Sequence, residues 1–378
     1  MSRRDGAALS RDEAFARIRL LRSPGVGPAS YAQLLARCGS AEAALEAWPE
    51  LASRAGRAGQ LVPADRVAVE LAAVRRAGAR YLFHDSPDYP PLLREAAGAP
   101  PILIARGEGA LAHRPAVAMV GARNASAAAV RLARDFAAAL SAAGYAVVSG
   151  LARGIDGAVH QGALAGLAAG EGPMARGGTI GVIASGIDIA YPPGHAALQE
   201  DIACRGLLLT EYPPGTEPLA RHFPARNRII AGIAAGTVVV EATPNSGSLI
   251  TARLAGEMGR DVMAIPGSPL DPRAHGCNQL IRDGAVLVQS PDEVIELLTG
   301  PGGLPRPPAA APAPFLLGEP ALPPVAAIEA LLTVAPVAVD ELVRQSGDDP
   351  GAVQLALLEL ELAGRLVRHA GGRVSLAD

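Results

Sequence analysis

Lysine is missing from this sequence, because all 34 basic residues among its 378 positions are arginines. A phosphate-binding P-loop needs a lysine beside its glycines, so the chain does not hold nucleotides in that way. Any cationic contact to a phosphate must come from a guanidinium group, which is a planar fork of donors rather than a point charge.

Cysteine is also scarce, with Cys38, Cys204 and Cys277 far apart in the sequence. Three widely spaced cysteines exclude a disulfide framework and a cysteine-rich zinc site, and they favour a reducing compartment. Apolar runs long enough to span a membrane are missing, and the N-terminus lacks the apolar core of a signal peptide. We therefore expect a cytoplasmic protein without a membrane partner.

A surplus of positive charge is missing as well. The formal net charge is -3, and residues 114–300 hold 14 arginines against 16 acidic residues. The chain is therefore not a globally basic nucleic-acid binder, although an acidic sum leaves room for a local basic site. Hydrophobic residues make up 49% of the chain, which predicts folded domains, and the length favours two or three of them.

The middle of the chain alternates short apolar runs with helical patterns. Each run has four to eight residues and is nearly continuous in apolar side chains, as in strands buried on both faces. This order predicts an α/β fold with a Rossmann-like, doubly wound, mostly parallel sheet. The predicted strands are 116–120, 146–149, 179–184, 207–211, 237–241, 261–266 and 285–288, separated by helices at 126–142, 156–168, 195–204, 225–235, 247–258, 276–282 and 291–298.

Two smaller domains flank this core. Residues 1–85 predict a small helical domain of the SAM or helix-hairpin-helix type, in which the turn at 24–28 either contacts a DNA backbone or only joins two packed helices. Residues 86–299 form the Rossmann-like domain, and residues 300–324 are a proline-rich linker. Three predicted helices and a glycine-turned hairpin in 325–378 indicate a winged helix.

Ligands of doubly wound sheets bind at the carboxyl ends of the strands, so the residues after each strand are the candidate site. After the first strand, Gly121 lets a ligand approach, Arg123 offers a bidentate donor, and Ser126 caps the next helix. After the second, Arg153 lies between two glycines, and Asp156 stands at the expected helix cap. We interpret Asp156 as a cap rather than a catalytic acid.

The densest cationic cluster of the chain follows the fourth predicted strand, within residues 221–228. An aromatic ring beside guanidinium groups is typical of a single-strand site, where bases stack and arginines hold phosphates. Arginines near a helix N-terminus oppose the helix dipole, which favours a bound anion. The candidate residues are Arg221, Phe223, Arg226, Asn227 and Arg228.

Hydroxyl groups and backbone N–H groups collect after the fifth predicted strand, at the start of a helix, and form a phosphate cradle by composition. The members of this cradle are Ser246, Gly247, Ser248 and Thr251, and Asn278 follows the sixth strand at the same sheet edge. No nucleophile elbow, no metalloprotease helix and no metal-ligand spacing is present. We therefore expect binding rather than catalysis, with neither a metal nor a cofactor.

Several sequence blocks together resemble the DNA processing protein A family, known also as Smf, over about residues 90–300. The blocks are SGLARGID, GIDIAYPPGHAAL, TEYPPGTEP, HFPARNRIIAG, VEATPNSGSLITARLAGEMGRDVMAIPG and GCNQLIRDGA. The resemblance implies a protein that binds and protects incoming single-stranded DNA and loads the RecA recombinase on it during natural transformation. It also implies a homodimer formed through the Rossmann-like domain.

The resemblance assigns roles residue by residue. Arg221 stands where the family often has lysine. The resemblance therefore implies a cationic phosphate contact at Arg221, made by a planar guanidinium instead of a point charge. Phe223 or a neighbour would stack on a base. Gly121, Arg123 and Ser126 match the family's Gly-x-Arg turn, Arg226, Asn227 and Arg228 match its RNR run, and Ser246, Gly247, Ser248 and Thr251 match its SGSLIT run.

Two other functions remain as alternatives. Nucleoside-monophosphate phosphoribohydrolases share this core, but Ile250 and Thr251 stand where their glutamate is needed. A transcription regulator would read duplex DNA with the helix predicted at 350–363, but that helix carries Glu359 and Glu361, which repel phosphate. We expect the tail to contact proteins or to bind DNA weakly.

Overall fold

The computed structural model describes residues 9–54, 60–169, 177–299, 325–348, 350–369 and 371–377. Two compact units contain them. One unit comprises described residues from 69 to 299, and the other comprises those of 9–68 and 325–377. The linker predicted at 300–324 lies outside the described residues.

The N-terminal segment is helical. Its helices are α1 (Arg11–Arg22), α2 (Pro28–Cys38), α3 (Ala41–Arg54) and α4 (Ala64–Arg76). Ser10 caps α1 by accepting from the Glu13 N–H, and Gly39 ends α2 in the left-handed conformation. Leu20, Leu34 and other buried side chains form a small core of their own.

The central unit contains nine strands and eight α-helices in its described residues. The strands are β1 (Arg80–Phe83), β2 (Ile102–Gly107), β3 (Ala116–Val120), β4 (Ala146–Ser149), β5 (Gly178–Val182), β6 (Leu207–Thr210), β7 (Gly236–Val239), β8 (Asp261–Ala264) and β9 (Val286–Leu287). The helices are α5 (Pro91–Glu95), α6 (Ala127–Ala142), α7 (Ile155–Ala169), α8 (Ala196–Arg205), α9 (His222–Ile233), α10 (Gly247–Glu257), α11 (His275–Arg282) and α12 (Pro291–Leu298).

These strands form one sheet in the order β1-β2-β6-β5-β4-β3-β7-β8-β9. Strands β3 to β9 pair in parallel, whereas β2 pairs antiparallel with both β6 and β1. The predicted doubly wound, mostly parallel sheet is thus confirmed. Strand β1 lies before residue 86 and was not predicted, because its four residues are too short a run to indicate a strand by themselves.

Helices cover both faces of the sheet. On one face, side chains such as Phe136 of α6 and Val159 of α7 pack against Val117 and Val147. On the other face, Ile229 of α9 and neighbouring side chains pack on the alternate residues of the same strands. This two-sided burial explains why the strands are continuous in apolar residues.

The chain reverses its direction of winding at β3. From β3 it proceeds through β4, β5 and β6 to one side, and it then returns to β7 on the other side of β3. The carboxyl ends of β3 and β7 therefore diverge into a crevice, which is the ligand position of doubly wound sheets.

The C-terminal segment contains α13 (Val325–Ala330), β10 (Val337–Ala338), α14 (Val339–Ser346), α15 (Pro350–Leu362), β11 (Leu366–His369) and β12 (Arg373–Leu376). The three strands pair antiparallel in the order β10-β12-β11. Helices followed by this small sheet confirm the predicted winged helix. Among the described residues of the whole chain, no helix has the length and apolar character needed to cross a membrane.

Candidate nucleic-acid interface

A cavity of about 780 Å³ opens at the diverging ends of β3 and β7. Its walls come from the loops after β3 to β8, from α9, and from the first turns of α7 and α10. The predicted site residues among its lining are Gly121, Arg123, Phe223, Arg226, Asn227, Ser246, Gly247, Ser248 and Thr251. Predicted site residues up to 130 positions apart in sequence, Gly121 and Thr251, thus share one cavity.

The mouth of the cavity consists of Arg123, Tyr191 and Phe223. The Arg123 guanidinium lies over the Phe223 ring, with its Cζ atom 5.0 Å from the ring centroid. Tyr191 is 44% exposed, and its ring centroid lies 5.5 Å from that of Phe223 at an interplanar angle of 54°. Aromatic rings beside a cation offer both a stacking surface for a base and a charge for a phosphate.

The floor of the cavity consists of Arg226 and Asp156, which are only 4% and 6% exposed. Arg226 donates from Nη1 to the Val182 carbonyl at 3.1 Å. Burial raises the pKa of Asp156, and the nearby Arg226 charge partly opposes that rise. Burial likewise lowers the pKa of Arg226, and Asp156 opposes that shift.

The loop after β4 supports this floor. A Cβ atom at Gly150 would lie 1.3 Å from Arg226 Nη1, so only glycine leaves room for the guanidinium. The next residue, Leu151, is buried with a left-handed φ of 58°. Backbone strain of this kind persists only where the surroundings enforce it.

Two histidines enforce the turn at Leu151. The Leu151 N–H donates to His160 Nε2 at 3.3 Å, and His195 Nδ1 lies 3.0 Å from the Leu151 carbonyl. His160 Nδ1 lies 2.7 Å from Thr179 Oγ1, which itself donates to Val147. His160 therefore carries its proton on Nδ1, and burial lowers its pKa to about 3. The interpretation of His160 as a packed residue agrees with this geometry.

The first turn of α10 presents the hydroxyl cradle to the cavity. Ser246 caps the helix by accepting from the Ser248 N–H, and the two hydroxyl oxygens lie 2.7 Å apart. A Cβ atom at Gly247 would meet nothing within 4 Å, so this helix end is open. Asn227 of α9 donates to the Gly247 carbonyl at 3.2 Å and ties the two helices together. An open helix N-terminus favours an anion.

The start of α6 is different, because a carboxylate of the chain already occupies it. Ser126 donates its N–H and its hydroxyl to the two oxygens of Glu241, at 3.0 and 2.7 Å. Ser126 does not line the cavity and faces the Glu241 side of the sheet edge. Gly121 does line it, but its missing side chain makes room for Ile155, whose Cγ1 would lie 2.6 Å from an added Cβ atom.

Four further predicted residues lie outside the cavity lining. Arg228 pairs with Glu211 at 2.5 Å. Asn278 exchanges hydrogen bonds with the Gly267 backbone at 2.9 and 3.2 Å and so fixes the loop after β8. Arg153 and Arg221 are exposed near the cavity-forming loops. The cluster predicted from 221–228 is thus divided by the helix, which points its side chains in different directions.

The sequence of this chain matches three known family models. The family described as DNA recombination-mediator protein A matches residues 80–299, which is more than half of the chain. The chain belongs to the DNA recombination-mediator protein A family. A DprA-like N-terminal HHH domain matches residues 11–73, and a DprA winged helix domain matches residues 305–372. The resemblance stated from the sequence blocks is confirmed.

Individual members of the family are similar over much of their length. A DNA processing protein DprA of Mycobacterium tuberculosis is 39% identical over 333 residues, which is 83% of this chain and 81% of that protein. Protein Smf of Synechocystis is 42% identical over 225 residues, which is 58% of this chain and only 54% of that protein.

Two solved structures show the same fold. DNA processing protein A of Streptococcus pneumoniae superposes with a TM-score of 0.58 at 33% identity, covering 77% of this chain and 94% of that one. The protein of Helicobacter pylori, whose structure describes its single-stranded DNA binding mode, has a TM-score of 0.51 at 27% identity. It covers 58% of this chain and 95% of that one.

Some cavity residues of this family member escaped prediction from sequence. Tyr191 was not selected, although it stands beside the Pro-Pro pair of a recognised block. Asp156 was interpreted only as a cap, whereas in the structure it lies near Arg226 on the floor of the cavity. Among the described residues, no three histidine, cysteine or acidic side chains gather as metal ligands.

Proposed function

We propose that this protein binds single-stranded DNA in the cavity at the ends of β3 and β7. The observation that carries the proposal is the joining of an arginine–aromatic mouth to an open helix N-terminus within one cavity. Such a combination takes a phosphate and an adjacent base together. The single-strand binding mode described for the Helicobacter pylori relative supports the same ligand class.

Arg123 couples the binding of the base to the binding of the phosphate. In the free protein the Arg123 guanidinium lies over the Phe223 ring, which a base would need for stacking. A base that stacks on Phe223 displaces Arg123, and the released guanidinium then reaches a phosphate. The exposed side chains of Arg153 and Arg221 extend positive charge beyond the mouth, and we assign them to neighbouring phosphates.

The other predicted residues take supporting roles in this proposal. Arg228 is held by Glu211, Asn278 by the Gly267 backbone and Ser126 by Glu241. We propose that they fix α9, the loop after β8 and the start of α6, so that the cavity keeps its shape.

Replacement of Arg123 tests the proposal. Arg123→Ala removes a charged phosphate donor, and we expect about a tenfold loss of affinity for an oligo(dT) strand, measured by fluorescence anisotropy. Arg131→Ala is the matched control, because Arg131 is an exposed arginine on α6 outside this cavity. Equal affinity of both variants and the wild type would contradict the assignment.

Salt dependence gives a second readout from the same assay. With three or four phosphates neutralised, the logarithm of the binding constant should fall with the logarithm of salt at a slope of roughly -2 to -3. Arg123→Ala should reduce this slope by about 0.7, whereas Arg131→Ala should not. A binding constant independent of salt would argue against phosphate contacts altogether.

The geometry favours binding without catalysis. Glu241, the carboxylate that a phosphoribohydrolase mechanism would recruit in this region, accepts from Ser126 and does not line the cavity. We therefore propose a non-catalytic role. Release of a free base from nucleoside monophosphates, abolished by Glu241→Gln, would establish the alternative.

Family membership supports a role in DNA processing and recombination. We propose that the bound strand is protected and passed to the RecA recombinase, in the cytoplasm of a transformable cell. An assay of RecA filament formation on strands coated with single-strand binding protein tests this: the wild type should accelerate it, and Arg123→Ala should do so less. No acceleration by the wild type would contradict the RecA step but leave strand binding intact.

We also propose that the protein forms a homodimer through its Rossmann-like domain. Strand β9 ends the sheet, and its two residues, Val286 and Leu287, are 41% and 42% exposed. An apolar sheet edge is a pairing surface for another chain. Sedimentation equilibrium should give a dimer mass at micromolar concentration, whereas a monomer throughout would exclude the dimer.

A further inference from the structure

Arg226, on the cavity floor, lacks partners for part of its hydrogen-bonding capacity. Arg226 Nε is buried and has no partner among the described residues, and the one hydrogen bond described for its guanidinium goes from Nη1 to Val182. Asp156 acts on Arg226 through its charge and not through a hydrogen bond. Asp156 itself accepts from the Ala152 N–H at 3.4 Å and also from the backbone at Gly150.

Such groups are expensive in an unliganded protein. A buried guanidinium loses its hydration, and a donor left without an acceptor adds to that cost. Natural structures satisfy nearly all buried polar atoms, so a buried arginine that has few partners and lines a cavity indicates a ligand group. The loop around Gly150 and the strained Leu151 is built to keep Arg226 in this place.

The charges on the floor select the chemistry of that ligand group. It must accept hydrogen bonds from Arg226 and also lie beside the carboxyl group of Asp156. A phosphate satisfies only the first condition, because its negative charge would lie beside the Asp156 carboxylate, and like charges repel at close range. A phosphate has better positions nearer the surface, at the start of α10 and at Arg123. A neutral group with a donor next to an acceptor fits the floor.

The Watson–Crick edge of a nucleobase has this arrangement, since each base places a ring or exocyclic N–H next to an acceptor. We propose that Asp156 and Arg226 read the Watson–Crick edge of one unpaired base, with Asp156 accepting from a base N–H and Arg226 donating to the adjacent base acceptor. The inference rests on the proposed binding of DNA in this cavity.

Preference for single strands follows from this reading. In a duplex the Watson–Crick edge is already paired with the opposite base, so it is not free to meet the floor. Phosphates, in contrast, are exposed in both forms and give no such discrimination. Asp156 and Arg226 are therefore the specificity-determining pair, and the mouth and the start of α10 supply affinity.

A modified base tests the proposal on the unmodified protein. In N3-methylthymidine the N3–H donor is replaced by a methyl group, while the backbone phosphates and the ring face remain. We expect the wild type to bind an oligomer of N3-methylthymidine about tenfold more weakly than oligo(dT) of the same length, measured by fluorescence anisotropy. Equal affinity for the two oligomers would overturn the inference.

Two matched variants complete the test. Asp156→Asn keeps the size of the side chain and an acceptor for the Ala152 N–H, but it weakens acceptance from the base. This variant should bind oligo(dT) about tenfold more weakly than the wild type and should no longer distinguish it from the methylated oligomer. Asp135→Asn removes an exposed acid of α6 outside this cavity and should keep the full discrimination.

The outcomes separate this inference from the function on which it rests. Failure of the wild type to bind either oligomer would contradict the proposed function itself. Binding of both with equal strength would retain the function and refute the reading of the base edge. Retention of the discrimination by Asp156→Asn would remove Asp156 from the pair.

Discussion

Two arginines of the central cavity, Arg123 and Arg226, meet different partners from those of the winged-helix tail. In the tail, Arg344 pairs with Glu341, Arg365 with Glu329, and Arg368 with Glu361 at 2.9 Å. In the cavity, Arg123 lies on an aromatic ring and Arg226 donates to a backbone carbonyl, and neither forms an ion pair among the described residues.

This difference matters more than the number of arginines. A guanidinium that is already paired with a carboxylate must lose that contact before it binds a phosphate. The exchange of one anion for another contributes little binding free energy. A guanidinium without an anion has its donors available and gains the full charge-assisted interaction. The comparison therefore predicts that DNA affinity depends on the cavity and barely on the tail.

The largest effect is expected at Arg226. Arg226→Met keeps the length of the side chain but removes every donor, so we expect a loss of roughly 2–3 kcal/mol in strand binding, or about a hundredfold. Because the replacement leaves the buried Asp156 without the neighbouring positive charge, the melting temperature should fall as well, and binding is compared at a temperature at which both proteins are folded. Anisotropy and thermal unfolding measure the two quantities. Unchanged binding would mean that Arg226 contributes no more to strand affinity than the arginines of the tail.

An effect of intermediate size concerns acid stability. Since the pKa of His160 is about 3 in the folded protein, against about 6.5 when unfolded, the unfolded state binds more protons between these values. The unfolding free energy should therefore fall as the pH drops below about 6.5, by at most about 1.4 kcal/mol per pH unit.

A matched variant isolates this contribution. His160→Gln retains an acceptor for Leu151 but does not titrate, so its melting temperature should depend less on pH between 7 and 4.5 than that of the wild type. The ion pairs described in the tail contain no buried histidine that would titrate in this range. If the melting temperatures of the two proteins changed equally with pH, His160 would be excluded as the source of the pH dependence.

The smallest effect is expected in the tail. Arg365 and Arg368 are already paired with glutamates, so the double replacement by alanine should change the affinity for oligo(dT) by less than about twofold. The same anisotropy assay measures it. A loss comparable to that of Arg123→Ala would show that the tail contributes to strand binding as the cavity does.

Much of the architecture could be predicted from local pattern. Each strand from β3 to β8 was predicted within a few residues, because burial on both faces leaves a continuous apolar run. Strand β1 was missed because its pairing with β2 depends on residues 19 to 25 positions away rather than on its own composition. The third N-terminal helix, α3, was also missed.

The site was predicted as a set of residues but not as an arrangement. Arg226 and Arg228 are equivalent in a sequence motif, yet one faces the cavity and the other pairs with Glu211, because two positions on a helix differ by about 200°. Ser126 was predicted as a phosphate contact, but a glutamate 115 residues later supplies the anion at its helix.

By itself, the sequence determined the fold class, the domain order, the family and the restriction of positive charge to guanidinium groups, because these follow from local periodicity, motif order and composition. Only the tertiary structure decided which arginines have their donors free, which helix N-terminus is open, and that Asp156 lies beside Arg226. Those properties depend on which distant residue fills the space next to each group, and the winding of the chain around β3 brings those residues together.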